Sequence, residues 1–417
     1  MAEELTGNVL ITQCGTSTPT SNASLAGIIS EALNHDCIEE IYGSLNGLQG
    51  ILSESIIDLA EESQQTIRAL RYTPAAILGT SSGKLSPQDL EAIITVFEAH
   101  NIRFFFCIGD IEAQSAADQI ARFAQDKQYD VRVIGVPSAA DNNLAVTDHC
   151  PGFASTVKHL SNLTRELICQ QTSLGDRGLV SILEVAGTQN SWLAASTVMA
   201  KQRNNPDEAP HIICLSDQPF APEAFLQRAQ ETIQKLGSCT IVVDENLTDI
   251  DGNYLTASDS EASEGGAPLM STGQYIALLI KENLGVKAEW VRPGITQYTG
   301  AHHLSEVDCN EAYTSGQVAV ENAIAGENAK MVTLTRGETE QYSCEYKLIP
   351  FAQVVAGNKP FPQNWIDEDG HTLSYQLCKY LQPLLQGDVV IPTENNLPRF
   401  AKLNKRRIEH KAVHATA

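Results

Sequence analysis

The side chains that could do chemistry collect in seven short segments: CGTSTPTSN (14–22), GTSSGKL (79–85), GDIEAQS (109–115), PSAADNNLAVTDH (137–149), AGTQNSW (186–192), SDQPF (216–220) and RPGITQYTGAHH (292–303). They are rich in Ser, Thr, Asn and Gln, and their carboxylates include Asp110, Glu112, Asp141, Asp148 and Asp217. A carboxylate beside glycine- and hydroxyl-bearing turns is material for a general base or for metal-assisted group transfer. Each has a plainer reading too. Asp141, in an Asp-Asn-Asn turn after Pro137, is equally a cap for the segment that follows. Thr16, Ser17, Thr18, Thr20 and Ser21 either bind an anion or form a polar turn capping the next helix. His149, His302 and His303 lack the helical His–Glu spacing of a metal site and read as surface or satisfied histidines.

Something must hold these loops in place, and the intervening sequence shows what. Short Val- and Ile-rich runs, each followed by ten to fifteen residues at helical period, predict strands over 8–13, 75–80, 103–109, 131–137, 178–187, 211–216 and 239–245. Helices are expected over 24–33, 87–101, 113–124, 153–167, 192–201, 222–236, 273–283 and 306–324, the second with Ser86 as N-cap and Pro87 in its first turn. This alternation is the signature of stacked βα units with largely parallel sheets buried on both faces. Ligands of such sheets sit beyond the carboxyl ends of the strands, where most of the seven segments fall.

At 417 residues and 42% apolar content the chain is expected to build two lobes. Its net charge of −23 opposes nucleic acid and anionic membranes, and equally a highly anionic substrate unless Lys and Arg concentrate in the pocket. The ten cysteines are scattered without a C-x-x-C pair, which suits reduced core thiols rather than a disulfide framework or a zinc site. No apolar run reaches membrane-helix length, and the N-terminus is acidic before its first apolar run; a cytoplasmic protein is expected. Two segments break the rhythm. Residues 256–268 are acidic and Ser/Gly-rich, as a surface or contact loop would be. The basic tail after Pro398 reads as solvated or self-docking, or else as a subunit contact.

The stretches EEIYGSLNGLQGIL, LRYTPAAILGTS, AHNIRFFFCIGD, DNNLAVTDHCPGF, EVAGTQNSWLAA, APHIICLS and KMVTLTR follow one another in the order and spacing of the phosphofructokinase family. The chain resembles that family from about residue 8 to the KRR tail, and most of all its long pyrophosphate-using branch. The resemblance implies a phosphofructokinase-like α/β fold of two lobes with an interlobe cleft. The lobes are expected at 1–138 plus about 301–360 (phosphate donor) and 139–300 plus about 361–417 (sugar phosphate). It also implies phosphoryl transfer from pyrophosphate or ATP to fructose 6-phosphate, chemistry that rests on positioning and charge neutralisation.

The matching positions have changed. The family's T-I-D-N-D base motif reads Ala139-Ala140-Asp141-Asn142-Asn143, keeping Asp141 as the base and placing Asn143 at the second carboxylate. Its Gly-Gly-Asp donor and metal loop reads Gly109-Asp110-Ile111, so the metal-binding Asp falls on an apolar residue, with Asp110 or Glu112 as possible substitutes. Its first glycine loop keeps Gly15. Its three phosphate-binding arginines fall on Ser82, after Gly79, on Thr188 and on Tyr298, after Gln297. Asp217 stands where the family has a Glu contacting sugar hydroxyls. The reading is a catalytically impaired family member serving as a structural or regulatory partner of an active phosphofructokinase, in a homo-oligomer or hetero-oligomer. The alternatives are an active diphosphate–fructose-6-phosphate 1-phosphotransferase, which alone would require Mg²⁺, and a cleft altered to take a neutral polar ligand.

Overall fold

The computed structural model describes residues 5–412 apart from 175–178, 188–189, 202–204, 206, 257–269, 339–340 and 368–372. The chain divides into two units. Unit 1 comprises Met1–Thr156, Tyr298–Lys359 and Leu385–Ala417; unit 2 comprises Val157–Gln297 and Pro360–Leu384.

Unit 1 is built on β1 (Gly7–Cys14), β2 (Ile38–Ser44), β3 (Ile56–Asp58), β4 (Ile102–Gly109), β5 (Arg132–Pro137), β10 (Lys330–Arg336) and β11 (Cys344–Pro350), in the order β11-β10-β5-β4-β1-β2-β3. All neighbours are parallel except the two edge strands, β3 and β11. The apolar runs are continuous because both faces are covered. Leu10, Phe105 and Val133 face one core, and Val9, Ile11, Phe104 and Phe106 face the other. Register pairs Cys14 with Gly109 and Gly109 with Pro137, which sets the loops after β1, β4 and β5 side by side.

Helices behave as their local chemistry dictates. The helix Pro87–Ala99 starts with a capping box in which Ser86 Oγ accepts from Asp89 N at 3.2 Å and Ser86 N donates to Asp89 Oδ2 at 2.8 Å. The helices Ser21–Ala32 and Glu306–Ile324 cross at glycines: a Cβ on Gly27 would lie 2.0 Å from the Tyr313 carbonyl oxygen, and one on Gly316 2.3 Å from that of Ser24. Those glycines set how closely the two helices approach.

Unit 2 carries an all-parallel sheet of β6 (Val180–Val185), β7 (Ile212–Cys214), β8 (Cys239–Asp244) and β9 (Ala288–Val291), ordered β7-β8-β6-β9. Ile182, Ile241, Phe225 and Ile276 form its core. The returning segment 360–384 adds Phe361, Trp365 and Tyr380 around Trp192, with ring centroids 5.1, 5.9 and 5.7 Å away. No described helix is long and apolar enough to cross a membrane.

Two expectations need correction. Residues 75–80 are not a strand: Ala75 and Gly79 have positive φ, and the backbone there bonds to side chains, Ile77 N to Asn22 Oδ1 (2.9 Å) and Leu78 N to Gln13 Oε1 (3.1 Å). The expected lobe boundaries also shift, because residues 139–156 and 385–417 belong to unit 1. Leu334 N on β10 donates to Thr147 Oγ1 at 2.9 Å, and Ile408 N to the Ile56 carbonyl of β3 at 3.0 Å. The tail after Pro398 is self-docked, with Arg406 reaching Glu61 at 2.7 Å and Asn404 N reaching Glu62 Oε1 at 2.6 Å. The acidic stretch 256–268, all but Thr256, lies outside the described residues.

Candidate functional site

The loops after β1 and β4 meet on one carboxylate. Asp110 is the N-cap of the helix Ile111–Asp126, extended at φ −83°, as an Asp at this position favours. Its Oδ2 accepts from Thr16 N at 3.2 Å; its Oδ1 accepts from Glu112 N at 3.1 Å and Ala113 N at 3.4 Å. Gly15 makes the arrangement possible, with φ +74° and a would-be Cβ only 2.3 Å from the carboxylate. Burial raises the Asp110 pKa, opposed by the amide hydrogen bonds that favour its charged form. Amides at a helix start, with the positive end of the dipole behind them, are an anion site. Here the anion is the chain's own side chain.

The neighbouring hydroxyls are likewise turned on one another. Thr18, Ser21 and Ser138 form a buried triangle with oxygen separations of 2.9, 3.0 and 3.0 Å. Of the sequence-predicted donor residues, Gly15, Gly109, Asp110 and Glu112 come together, Glu112 through its amide while its side chain is exposed. Gly79 lies against Asn46, and Ser82 is exposed, whereas Ser81 makes the loop contacts: its Oγ accepts from Leu48 N at 3.0 Å and its carbonyl from Gly15 N at 3.2 Å. This set does not fit Mg²⁺. Ile111, which the resemblance sets at the metal position, offers only an alkyl chain, and both oxygens of Asp110 face amide hydrogens rather than a site needing hard oxygen ligands.

Asp141 lies in the turn after β5 and is 4% exposed. The turn is fixed by Asn142 at φ +53°, whose Oδ1 accepts from Cys150 N at 3.1 Å, and by Ala139 N donating to the Pro151 carbonyl at 3.1 Å. The Asn143 carbonyl accepts from Lys359 N at 2.9 Å, and Lys359 Nζ donates to the Thr147 carbonyl at 3.0 Å and to that of Asp148. Burial lowers the pKa of Lys359. Sequence reasoning missed this lysine, which lies more than 200 residues from the loop it supports.

Behind the same loop sits a buried charge network, also missed. His149 Nδ1 contacts Asp148 Oδ2 at 2.8 Å, and its Nε2 contacts Glu311 Oε2 at 2.6 Å. Arg336 reaches Asp148 at 3.2 Å, and Tyr342 donates to Glu311 at 2.5 Å. Burial opposes protonation of His149, but Glu311 and Asp148 outweigh it and raise its pKa to about 9. Asp148, penalised by burial but bonded by His149 and Arg336, is held down at about 2. The Asp148-His149 dipeptide was the only signal in sequence; Glu311, Arg336 and Tyr342 are too distant to form a pattern.

In unit 2 the loops after β6, β7 and β8 are also closed by local partners. Asp217 Oδ2 accepts from Ser191 N at 3.3 Å and its amide donates to Ser191 Oγ at 3.1 Å; Ser216 Oγ donates to Asp244 Oδ2 at 3.0 Å. Arg292 contacts Glu245 at 2.7 Å and the buried Glu184 at 3.4 Å, and Glu245 Oε1 accepts from Gly187 N at 3.0 Å. Gln297 bonds the Ala186 backbone in both directions, at 3.1 and 2.7 Å. Tyr298 ends the same 3₁₀ turn and is half-buried. Thr188 lies outside the described residues.

A two-unit α/β protein with its strand-end loops so arranged is a phosphofructokinase-type architecture, and residues 8–323 match the family described as Phosphofructokinase. The chain belongs to the phosphofructokinase family. Within it, the chain is 35% identical to the pyrophosphate–fructose 6-phosphate 1-phosphotransferase of Halomonas elongata, over 97% of this chain and 98% of that one. Two solved pyrophosphate-dependent phosphofructokinases superpose on it. That of Marinobacter aquaeolei has a TM-score of 0.88 at 32% identity, covering 97% of this chain and 98% of its own. That of Nitrosospira multiformis has a TM-score of 0.91 at 31% identity, covering 98% and 100%.

Proposed function

We propose that this chain is a catalytically impaired member of the pyrophosphate-using phosphofructokinases, a structural or regulatory partner of an active phosphofructokinase. In this reading unit 1 is the donor-phosphate lobe and unit 2 the sugar-phosphate lobe. The observation that carries it is Asp110, whose carboxylate occupies the amides of Thr16, Glu112 and Ala113. A phosphate entering there would have to displace an intramolecular anion and then sit beside it. The three family arginine positions, Ser82, Thr188 and Tyr298, offer no guanidinium to offset that repulsion, and a missing arginine-type contact alone costs on the order of 10³-fold in phosphoryl-transfer rate. The test is purified protein with fructose 6-phosphate, pyrophosphate and Mg²⁺. The expected result is no turnover above that of Asp141→Ala.

One observation favours a second reading, an active pyrophosphate-dependent transferase. Asp141 is retained and buried in a turn that Lys359 holds from two directions. The relative from Halomonas elongata carries that activity in its name. Turnover that Asp141→Ala abolishes establishes this reading and removes the first.

A further inference from the structure

Residues 401–412 run as a strap along the outer edge of the unit 1 sheet, starting where Ala401 N donates to Thr73 Oγ1 at 2.8 Å. Against β3 they form the shortest of strand pairings. Asp58 N donates to the Arg406 carbonyl at 3.2 Å, Ile408 N donates to the Ile56 carbonyl at 3.0 Å, and Arg407 is bridged antiparallel to Ile57. Three carboxylates hold the rest. Glu62 accepts from Asn404 N at 2.6 Å, Glu61 from Arg406 at 2.7 Å, and Glu54 from Ala412 N at 3.1 Å and from Lys411 N. Glu54 is buried, takes φ +51° and meets the buried His100 Nε2 at 2.5 Å, so the socket for the end of the strap is built into the body of unit 1.

The strap itself is lightly held. No residue from 401 to 412 is buried; Ala401 and Leu403 rest on one core and Ile408 and Ala412 on the other, all four partly exposed. A segment with so few buried apolar contacts opens at a lower free energy than the domain beneath it. Lifting it uncovers β3, whose free edge is a template for another strand. We infer that this edge is an exchangeable peptide site, occupied in cis by the chain's own tail and open in trans to a basic, extended segment of a partner protein that adds a strand to β3.

The occupant's chemistry follows from the charges on the two sides. The receiving edge offers Glu54, Glu61 and Glu62, with Glu39, Glu40 and Asp58 close by. Burial, and then the charges of Asp58, Glu39 and Glu61, raise the Glu40 pKa, as expected where carboxylates crowd without enough cations. The strap brings the complement: Lys402, Lys405, Arg406, Arg407 and Lys411, five of the chain's 28 Lys and Arg residues, fall within ten positions. A competitor must match both features of the tail, its cations and the apolar side chain at Ile408 that meets the core. Nucleic acid and anionic membrane are repelled by the same carboxylates.

The test uses the full chain and a fluorescein-labelled peptide of residues 399–412, read by fluorescence anisotropy. Arg406→Glu/Ile408→Asp, which loosens the tail in cis, is expected to bind the peptide at least about tenfold more tightly than the wild type, whose site is masked. Glu61→Lys in that loosened variant, at an exposed position, is expected to weaken capture about fivefold. An unlabelled peptide of alternating Lys and Val is expected to compete, and one of alternating Glu and Val is not. Trypsin gives a readout without substitution: cleavage of the wild type between residues 402 and 411 is expected to quicken severalfold from about 0.1 M to about 1 M salt, as the Debye length falls from about 10 to about 3 Å. Equal capture by wild type and loosened variant overturns the inference. So does competition by both peptides or by neither, or a tail that trypsin reaches only on global unfolding. None of these readouts involves turnover, so the inference and the proposed function stand or fall separately.

Discussion

The two units solve the same problem with opposite charges. In unit 1 the amides at the start of a helix are satisfied by a carboxylate, Asp110. In unit 2 a cation, Arg292, is held by the carboxylates of Glu245 and Glu184. In both units, groups of the kind that bind phosphate are engaged with the chain itself. The difference lies in solvation. Asp110 is half-buried against three amides, whereas Arg292 is 44% exposed and shares its charge with water. Internal neutralisation should therefore be worth more in unit 1 than in unit 2.

The largest expected effect tests the support behind the unit 1 loops. His149→Ala leaves the Glu311 carboxylate buried without its cation, and removing one member of a buried ion pair costs about 3–5 kcal/mol. Denaturant unfolding measures it, and a loss below about 1 kcal/mol would mean that the network does not hold the loop. The pH profile adds a signed check. His149, raised from 6.5 to about 9, contributes stability that is complete below pH 6.5 and lost as pH rises through 9. Asp148, lowered from 3.8 to about 2, contributes stability that is present above pH 3.8 and lost as pH falls through 2. A plateau between those limits is expected, and His149→Ala should abolish the alkaline decline.

Next in size is Asp110→Ala, expected to cost about 0.5–2 kcal/mol as a lost N-cap, while Asp110→Asn keeps a capping oxygen and costs only a few tenths. Equal losses in the two variants would show that charge, rather than capping, carries the contact. Smallest is Arg292→Ala, at most about 1 kcal/mol because the pair is half in water. Thermal melts of the three variants side by side decide the comparison; a greater loss for Arg292→Ala than for Asp110→Ala would reverse it.

Six of the seven expected strands were legible because both faces of the sheet are buried and apolar runs leave few alternatives, whereas β2, β3, β9, β10 and β11 were not among the expected strands. The helix 306–324 was read to the residue, and Pro87 with Ser86 marked its helix start. AAILGT misled for the same reason: it is as apolar as a strand, yet its backbone polar groups are satisfied by Gln13 and Asn22 side chains that local pattern does not reveal. In the site, Ser82, Thr188, Tyr298 and the apolar Ile111, which the resemblance sets at arginine and metal positions, could be read directly. The new partner of the amides could not, since pairing Asp110 with Thr16 spans 94 positions and depends on β1 and β4 lying in register. Lys359 and Glu311 were hidden by the same long-range closure.

That discontinuity bears on how the protein is made. Unit 1 is assembled from three stretches, and β10, which covers the free edge of β5, is translated nearly two hundred residues after it. Until the ribosome reaches residue 336, β5 has an open, apolar edge of the kind that recruits other nascent chains. Most of unit 2, encoded between the two, can close before unit 1 is complete. The tail segment at Arg407–Ile408, bridged to β3, is translated long after the strand it covers. Premature termination near residue 400 would therefore release a product whose β3 edge is uncovered, which makes late truncations a problem for quality control out of proportion to their length.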